Sequence, residues 1–189
     1  MKPWIAIGLG IAIIAAAAVI GPVRTQDVDT GDNTTDRVGG TRIGETPPLW
    51  MTTNLTAIPS GETFTIQQLE RPVLVEMFAV WCPTCTRQQK EVQQLHRRYG
   101  DIVTSVSLDI DPNEDRQKVW RHMRRYNFTW RYAIASPTMT AALVREFDST
   151  ITVAPRSPMV LVCENGFRRL SRGVKTAETL KEEIEQGCL

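Results

Sequence analysis

R-P-V-L-V-E-M-F-A-V-W-C-P-T-C, Arg71 to Cys85, is the stretch whose reading decides the fold. Val73 to Ala79 is an apolar run interrupted once, by Glu76, and its length and flanking residues suit a buried strand. That strand delivers Cys82 and Cys85 onto the first turn of the helix that follows. At a helix N-terminus, unpaired backbone N–H groups and the macrodipole favour a thiolate over a thiol at Cys82. Cys85, one turn further in, can close a disulfide with it. Pro83 fits the first turn, where its missing N–H is not needed. A C-x-x-C alone is a modest signal, but between an apolar strand and an amphipathic helix it reads as a redox pair.

Working outward, Glu76 shares a face with Leu74 and Phe78 and is expected to be buried. Strand Val73 to Ala79 is apolar on both faces, as a central parallel strand covered by helices should be. The helix from Pro83 to Tyr99 carries Cys85, Val92, Leu95 and Tyr99 on one stripe and ends at Gly100; its other side carries Arg87, Gln88, Lys90, Glu91, Arg97 and Arg98.

Upstream, L-T-A-I and T-F-T-I flank Pro59-Ser60-Gly61 as a short hairpin, and Thr65 starts a brief helix with Gln68 as capping-box partner. Downstream come a strand over Ile102 to Leu108, a helix from Asp111-Pro112 to Tyr126 with Asp111 as N-cap, and a strand over Trp130 to Ala135. The apolar stripe of that helix is Val119, Trp120, Met123 and Tyr126; Arg116, Lys118, Arg121, Arg124 and Arg125 form a basic, solvated side. Ser136-Pro137 opens a helix to Phe147. Val160 to Cys163 and Phe167 to Leu170 are strands joined at Asn165-Gly166, and Thr176 caps a last helix with Gly187 beyond its end. The order is a hairpin, then βαβαβα, then ββα, which predicts an α/β domain with helices on both faces of a central sheet.

The 189 residues leave room for one such domain and an appendage. A net charge of +1 gives no global pull toward nucleic acid. Trp4 to Val23 is uncharged between Lys2 and Arg24, and a spanning helix needs about 20 such residues. A retained membrane anchor is expected over 1–24, with a cleaved signal peptide as the competing reading. In either case the domain is exported, and with Lys2 inside it lies on the extracytoplasmic side of the cell membrane. Residues 25–49 are rich in Asp, Thr and Gly without helical or strand period and read as a tether to a domain over 50–189. Sequons at Asn33, Asn54 and Asn127 are compatible with export.

From about Trp50 to Gln186 the chain resembles thioredoxin-fold proteins of the membrane-tethered TlpA/ResA-like type. W-C-P-T-C after V-L-V-E-M-F-A carries the resemblance, and S-P-M-V-L-V-C-E-N-G supports it. The resemblance implies a thioredoxin-like fold with a mixed sheet, an N-terminal β-hairpin and an inserted helix–strand unit over Pro112 to Ala135. It also implies that Pro158 is cis and faces the C-x-x-C. Met159 stands where the family usually has Thr, and Pro155 and Arg156 make the loop unusual.

It further implies a thiol–disulfide oxidoreductase in which Cys82 attacks, Cys85 resolves and Glu76 takes the Cys85 proton. A carboxylate buried among apolar side chains has the raised pKa such a role requires; the competing role for Glu76 is structural. Trp81 shields the disulfide edge or simply packs. Backbone groups of Ser157 would pair with a substrate strand. Pro83-Thr84 lacks the His that strongly oxidising relatives carry, so protein disulfides are expected to be reduced, with cytochrome maturation or redox homeostasis as settings and a membrane carrier as electron donor. A disulfide-forming oxidase or isomerase and a non-catalytic binding module are the alternatives. No cofactor beyond the dithiol, no metal and a monomer are expected. His96 and His122, within helices among basic residues, are read as solvated. Cys163 and Cys188 have three readings: unreactive thiols, a structural disulfide, or Cys188 as a third redox thiol.

Overall fold

A computed structural model describes residues 46–188. The anchor expected over 1–24, most of the tether and the Asn33 sequon lie outside them. Among the described residues no helix is long and apolar enough to cross a membrane.

The chain forms α1 (Leu49–Thr52), a hairpin of β1 (Leu55–Thr56) and β2 (Thr63–Phe64), β3 (Val73–Phe78), α2 (Pro83–Tyr99), β4 (Thr104–Asp109), α3 (Arg116–Tyr126), β5 (Arg131–Ile134), α4 (Pro137–Phe147), β6 (Met159–Cys163), β7 (Gly166–Arg169) and α5 (Ala177–Cys188). The main sheet has the order β5-β4-β3-β6-β7, with β3, β4 and β5 parallel and β6 and β7 antiparallel. β3 is therefore the central strand, and all six of its residues are buried. Burying each of its large apolar side chains contributes about 1.5–3 kcal/mol.

Alternation along β3 sorts the core. Val73, Val75 and Met77 face a cluster with Trp50 of α1, Phe64 of β2 and Leu143 of α4. Leu74 faces Val92 and Leu95 of α2 and Leu180 and Ile184 of α5. Phe78 joins Cys82, Cys85, Val119, Met123, Phe128 and Tyr132. Glu76 lies between these last two on the α2 side. The α3–β5 unit extends the sheet at its edge and packs against the end of β3 that carries the cysteines.

Most expected elements stand within a residue or two. Thr65 and Gln68 form the expected capping box, and Gly100 ends α2 at φ 70°. Three local expectations need correction. The helix expected from Asp111 starts at Arg116 with Asp115 as N-cap, because the Asp111 carboxylate already accepts from Trp81 Nε1 and the Asn113 N–H. Trp120 is exposed rather than part of the apolar stripe, and Arg124 stacks over it. Gly187 lies inside α5, where the Arg168 guanidinium occupies the space a Cβ would need. Cys188 on the next residue is bonded to Cys163, so of the three readings of these cysteines the structural pairing is the one observed.

Candidate redox site

The turn from β3 to α2 is held at both ends. Cys82 N–H donates to the Ala79 carbonyl at 3.1 Å, and Val80 N–H to Glu114 Oε2 at 2.8 Å. Trp81, 59% exposed, is fixed by its indole N–H to Asp111 Oδ2 at 2.5 Å. Cys82 is the N-cap of α2, and its Sγ accepts the Cys85 N–H at 3.1 Å. A sulfur in this position is stabilised as an anion by that N–H and by the positive end of the helix. Cys82 and Cys85 are joined in a disulfide with Cα atoms 5.3 Å apart. Pro83 sits exposed in the first turn and Thr84 is half-buried beside it.

Both cysteines are fully buried. Two 3-10 turns, Ser149–Thr152 and Ala154–Arg156, precede β6, and the second lies over the pair, with the Ala154 carbonyl oxygen 3.1 Å from Cys85 Sγ. Here an expectation fails. The cis peptide bonds among the described residues are Ile58–Pro59 and Arg71–Pro72, and the Ser157–Pro158 bond is trans. The chain turns instead at Ser157, which adopts a left-handed conformation at φ 46° and donates its N–H to Ala154 O at 2.9 Å. Ser157 and Pro158 are buried, and the Pro158 carbonyl accepts from Met77 N–H at 3.0 Å. In this conformation the Ser157 N–H is committed within the loop and is not offered to a substrate strand.

Glu76 is buried, as its place among Leu74 and Phe78 predicts. Loss of solvation pushes its pKa up to about 8; hydrogen bonding from Ser107 and Gln89 and the charge of Lys175 act in the opposite direction. Ser107 Oγ accepts from Trp130 Nε1 at 2.9 Å, which directs the hydroxyl proton to Glu76 Oε2 at 3.2 Å. Glu76 Oε1 and Gln89 Nε2 each lack a partner at normal hydrogen-bond length. Tyr132, held neutral well above the usual phenol range by burial and then by Glu76, closes the pocket from β5.

The residues that sequence reading missed are mostly polar side chains under α2. Gln88, assigned there to the solvated side, is fully buried and clamps the Lys175 backbone: its Oε1 accepts Lys175 N–H at 2.7 Å and its Nε2 donates to Lys175 O at 3.1 Å. Gln89 is equally buried. Positions three and four after Cys85 fall on its own helix face, so spacing alone could have found them. His122 and His96 are also corrected: His122 is buried with Nε2 2.7 Å from Gln89 Oε1, and His96 Nε2 lies 2.9 Å from Ser105 Oγ. Nothing in the sequence signals Lys175, whose depth depends on the course of a loop. Among the described residues, no group of His, Cys, Asp and Glu side chains is arranged to hold a metal ion.

This arrangement has relatives of known structure. A secreted disulfide oxidoreductase of Mycobacterium tuberculosis, homologous to Escherichia coli DsbE, matches with a TM-score of 0.58 over 72% of this chain and 97% of that one, at 15% identity. The chain has the thioredoxin fold. StoA from Bacillus subtilis shares that fold with a TM-score of 0.54, covering 69% of this chain and 93% of its own at 23% identity. The thioredoxin family model matches residues 59–121, from the hairpin through the dithiol into α3. A thiol:disulfide interchange protein, the TxlA homolog of Synechocystis, is 35% identical over 52 residues, 28% of this chain and 29% of that protein. The chain spans only 27 to 39% of the length of the curated relatives it matches.

Proposed function

We propose that this protein is a thiol–disulfide oxidoreductase that reduces protein disulfides outside the cytoplasm, tethered to the cell membrane by Trp4 to Val23. The observation that carries the chemistry is the Cys82–Cys85 pair capping α2, at the end of a strand whose buried Glu76 carboxyl has its pKa pushed up to about 8. The Cys82 thiolate attacks a substrate disulfide, forming a mixed disulfide and releasing one substrate thiolate, which takes up a proton. Cys85 then gives its proton to the Glu76 carboxylate and attacks the Cys82 sulfur. The Cys82–Cys85 disulfide closes, the second substrate thiolate leaves, and two electrons have passed to the substrate. Regeneration requires a dithiol donor; for an exported domain this is a membrane-borne carrier.

Trp81, Pro83 and Thr84 form the outer rim that a substrate meets first, and Ser157 and Pro158 become available to it when the Ala154–Arg156 turn moves aside. Export is supported by the apolar N-terminal run and by the Cys163–Cys188 disulfide, a bond that persists in oxidising compartments. The resemblance to TlpA/ResA-like proteins favours the reductive direction, in cytochrome maturation or in redox homeostasis.

Insulin reduction by dithiothreitol tests the activity: acceleration by the full chain and its loss in Cys82→Ser are expected, and no acceleration leaves a binding module. Trapping with Cys85→Ala should leave the substrate bonded to Cys82. A reduction potential near that of disulfide-forming oxidants, around −120 mV, would overturn the reductive direction.

A further inference from the structure

His122 stands where a phenylalanine would pack. Phe78, Tyr126 and Phe128 surround it with ring centroids 5.8, 5.1 and 5.8 Å away. In such a cage an imidazole adds one thing a phenyl ring lacks, a hydrogen-bonding nitrogen, and that nitrogen is spent on Gln89 Oε1 at 2.7 Å. Burial, and then the charge of Arg125, hold His122 neutral, with its pKa down at about 4. A neutral imidazole facing an amide oxygen presents Nε2–H as donor. Gln89 is thereby fixed with its oxygen bonded to His122; its NH2 group, left without a partner of its own, acts on Glu76, whose Oε1 is likewise unpaired, in the direction that favours the carboxylate.

We propose that His122 is a positioning residue for Glu76: by holding Gln89 with its amide N–H groups toward the carboxyl, it governs how readily Glu76 accepts the Cys85 proton. This rests on the oxidoreductase reading of the site. Without His122 the Gln89 amide is free to turn its oxygen toward Glu76, where it would meet the carboxylate as a second acceptor. The chain runs from the inserted α3 through α2 to β3, so the inserted unit reaches the redox centre. The other groups facing Glu76 are Ser107 from β4, Tyr132 from β5 and Lys175 from the loop before α5. Those around His122 are Arg125, with Lys118 and Arg121, on the rim of a pocket of about 370 Å³. None of them bonds Gln89.

The test uses the reduced full chain with 5,5′-dithiobis(2-nitrobenzoate). The first equivalent of thionitrobenzoate reports attack by Cys82, and the second reports resolution by Cys85. Expected in His122→Phe and in Gln89→Leu is an unchanged first release. The second release should be about tenfold slower at pH 7, its pH midpoint moved about one unit upward, as the ionised carboxyl loses the amide that favours it. His122→Asn, which keeps an N–H donor, should restore the midpoint in part. Infrared titration of the Glu76 carboxyl band in the disulfide form, assigned with Glu76→Gln, should move upward in the same two variants without any thiol chemistry. A second release and a carboxyl titration that both stay at the unmodified values overturn the role of His122. A first release missing from the unmodified chain overturns the oxidoreductase reading and this role with it.

Discussion

Cys85 Sγ lies 3.1 Å from the carbonyl oxygen of Ala154, and the 3-10 turn carrying that carbonyl leaves neither cysteine exposed. In-line attack at Cys82 therefore requires the turn to move. Pro155 restricts the backbone of the turn, and its replacement by Gly loosens such a segment by about 1 kcal/mol. Pro155→Gly is expected to raise the alkylation rate of reduced Cys82 by iodoacetamide roughly fivefold while the melting temperature falls by only about 3 °C. Equal rates in the two proteins would mean that the turn does not limit access.

The raised pKa of Glu76 links redox chemistry to stability. Between the ordinary carboxyl value of 4.5 and about 8 the folded chain holds a proton that the unfolded chain has lost, so stability falls as pH rises through this window. The gap corresponds to on the order of 5 kcal/mol for a fully buried group. His122 acts with the opposite sign. Its pKa is down at about 4, so the unfolded chain binds the extra proton between 4 and 6.5, and stability is lost as pH falls through that range. Glu76 and the likewise raised Asp109 together outweigh His122 above pH 4.5, so denaturant titrations of the disulfide form should show stability falling from there to pH 8, most steeply above 6.5. Glu76→Gln should roughly halve the decline between pH 6.5 and 8, leaving the part due to Asp109; an unchanged decline would assign it to another group.

The Cys163–Cys188 disulfide ties β6 to the last turn of α5 across a sequence separation of 25. A loop of that length stabilises by about 3 kcal/mol in the chain-entropy account. The double variant Cys163→Ser with Cys188→Ser should melt roughly 10 °C lower and still catalyse insulin reduction. Loss of activity at temperatures where the variant is folded would give these cysteines a part in electron transfer.

What could be read before the structure depended on how local the cause was. β3, the start and end of α2, the Thr65 capping box and the hairpin of β6 and β7 follow from spacing and turn chemistry within a few residues, and so did Cys82, Cys85 and the burial of Glu76. The turn of that hairpin is Glu164-Asn165, with Gly166 already in β7 and paired to Cys163. Asp111 misled because a good N-cap side chain was drawn away by Trp81, thirty positions distant in sequence. His122 misled because its basic neighbours on α3 face solvent while the ring itself turns inward to Gln89. Ser157–Pro158 misled because family resemblance supplied an isomer that this loop, turning at a left-handed Ser157, does not use.

Beneath the Val80 to Cys82 turn sits a second buried acid, and its effect on the site is separable from that of Glu76. Asp109 is fully buried at the end of β4, and burial, then the neighbouring Glu114 carboxyl, pushes its pKa up to about 8. Its Oδ1 accepts the Asp111 N–H at 3.0 Å, while Glu114 Oε2 accepts the Val80 N–H at 2.8 Å. Below pH 8 the proton on Asp109 lets the two carboxyls share the space under the turn. Above it, two negative charges are forced together, and the Glu114 anchor of Val80 is the movable partner. Hydrogen exchange at the Val80 amide, corrected for the intrinsic pH dependence, is expected to accelerate severalfold between pH 7 and 9. Asp109→Asn stays neutral throughout and should abolish that acceleration while leaving exchange in β3 unchanged. Persistence of the acceleration in Asp109→Asn would show that Val80 is loosened by another group, with Glu76 the first to examine through Glu76→Gln.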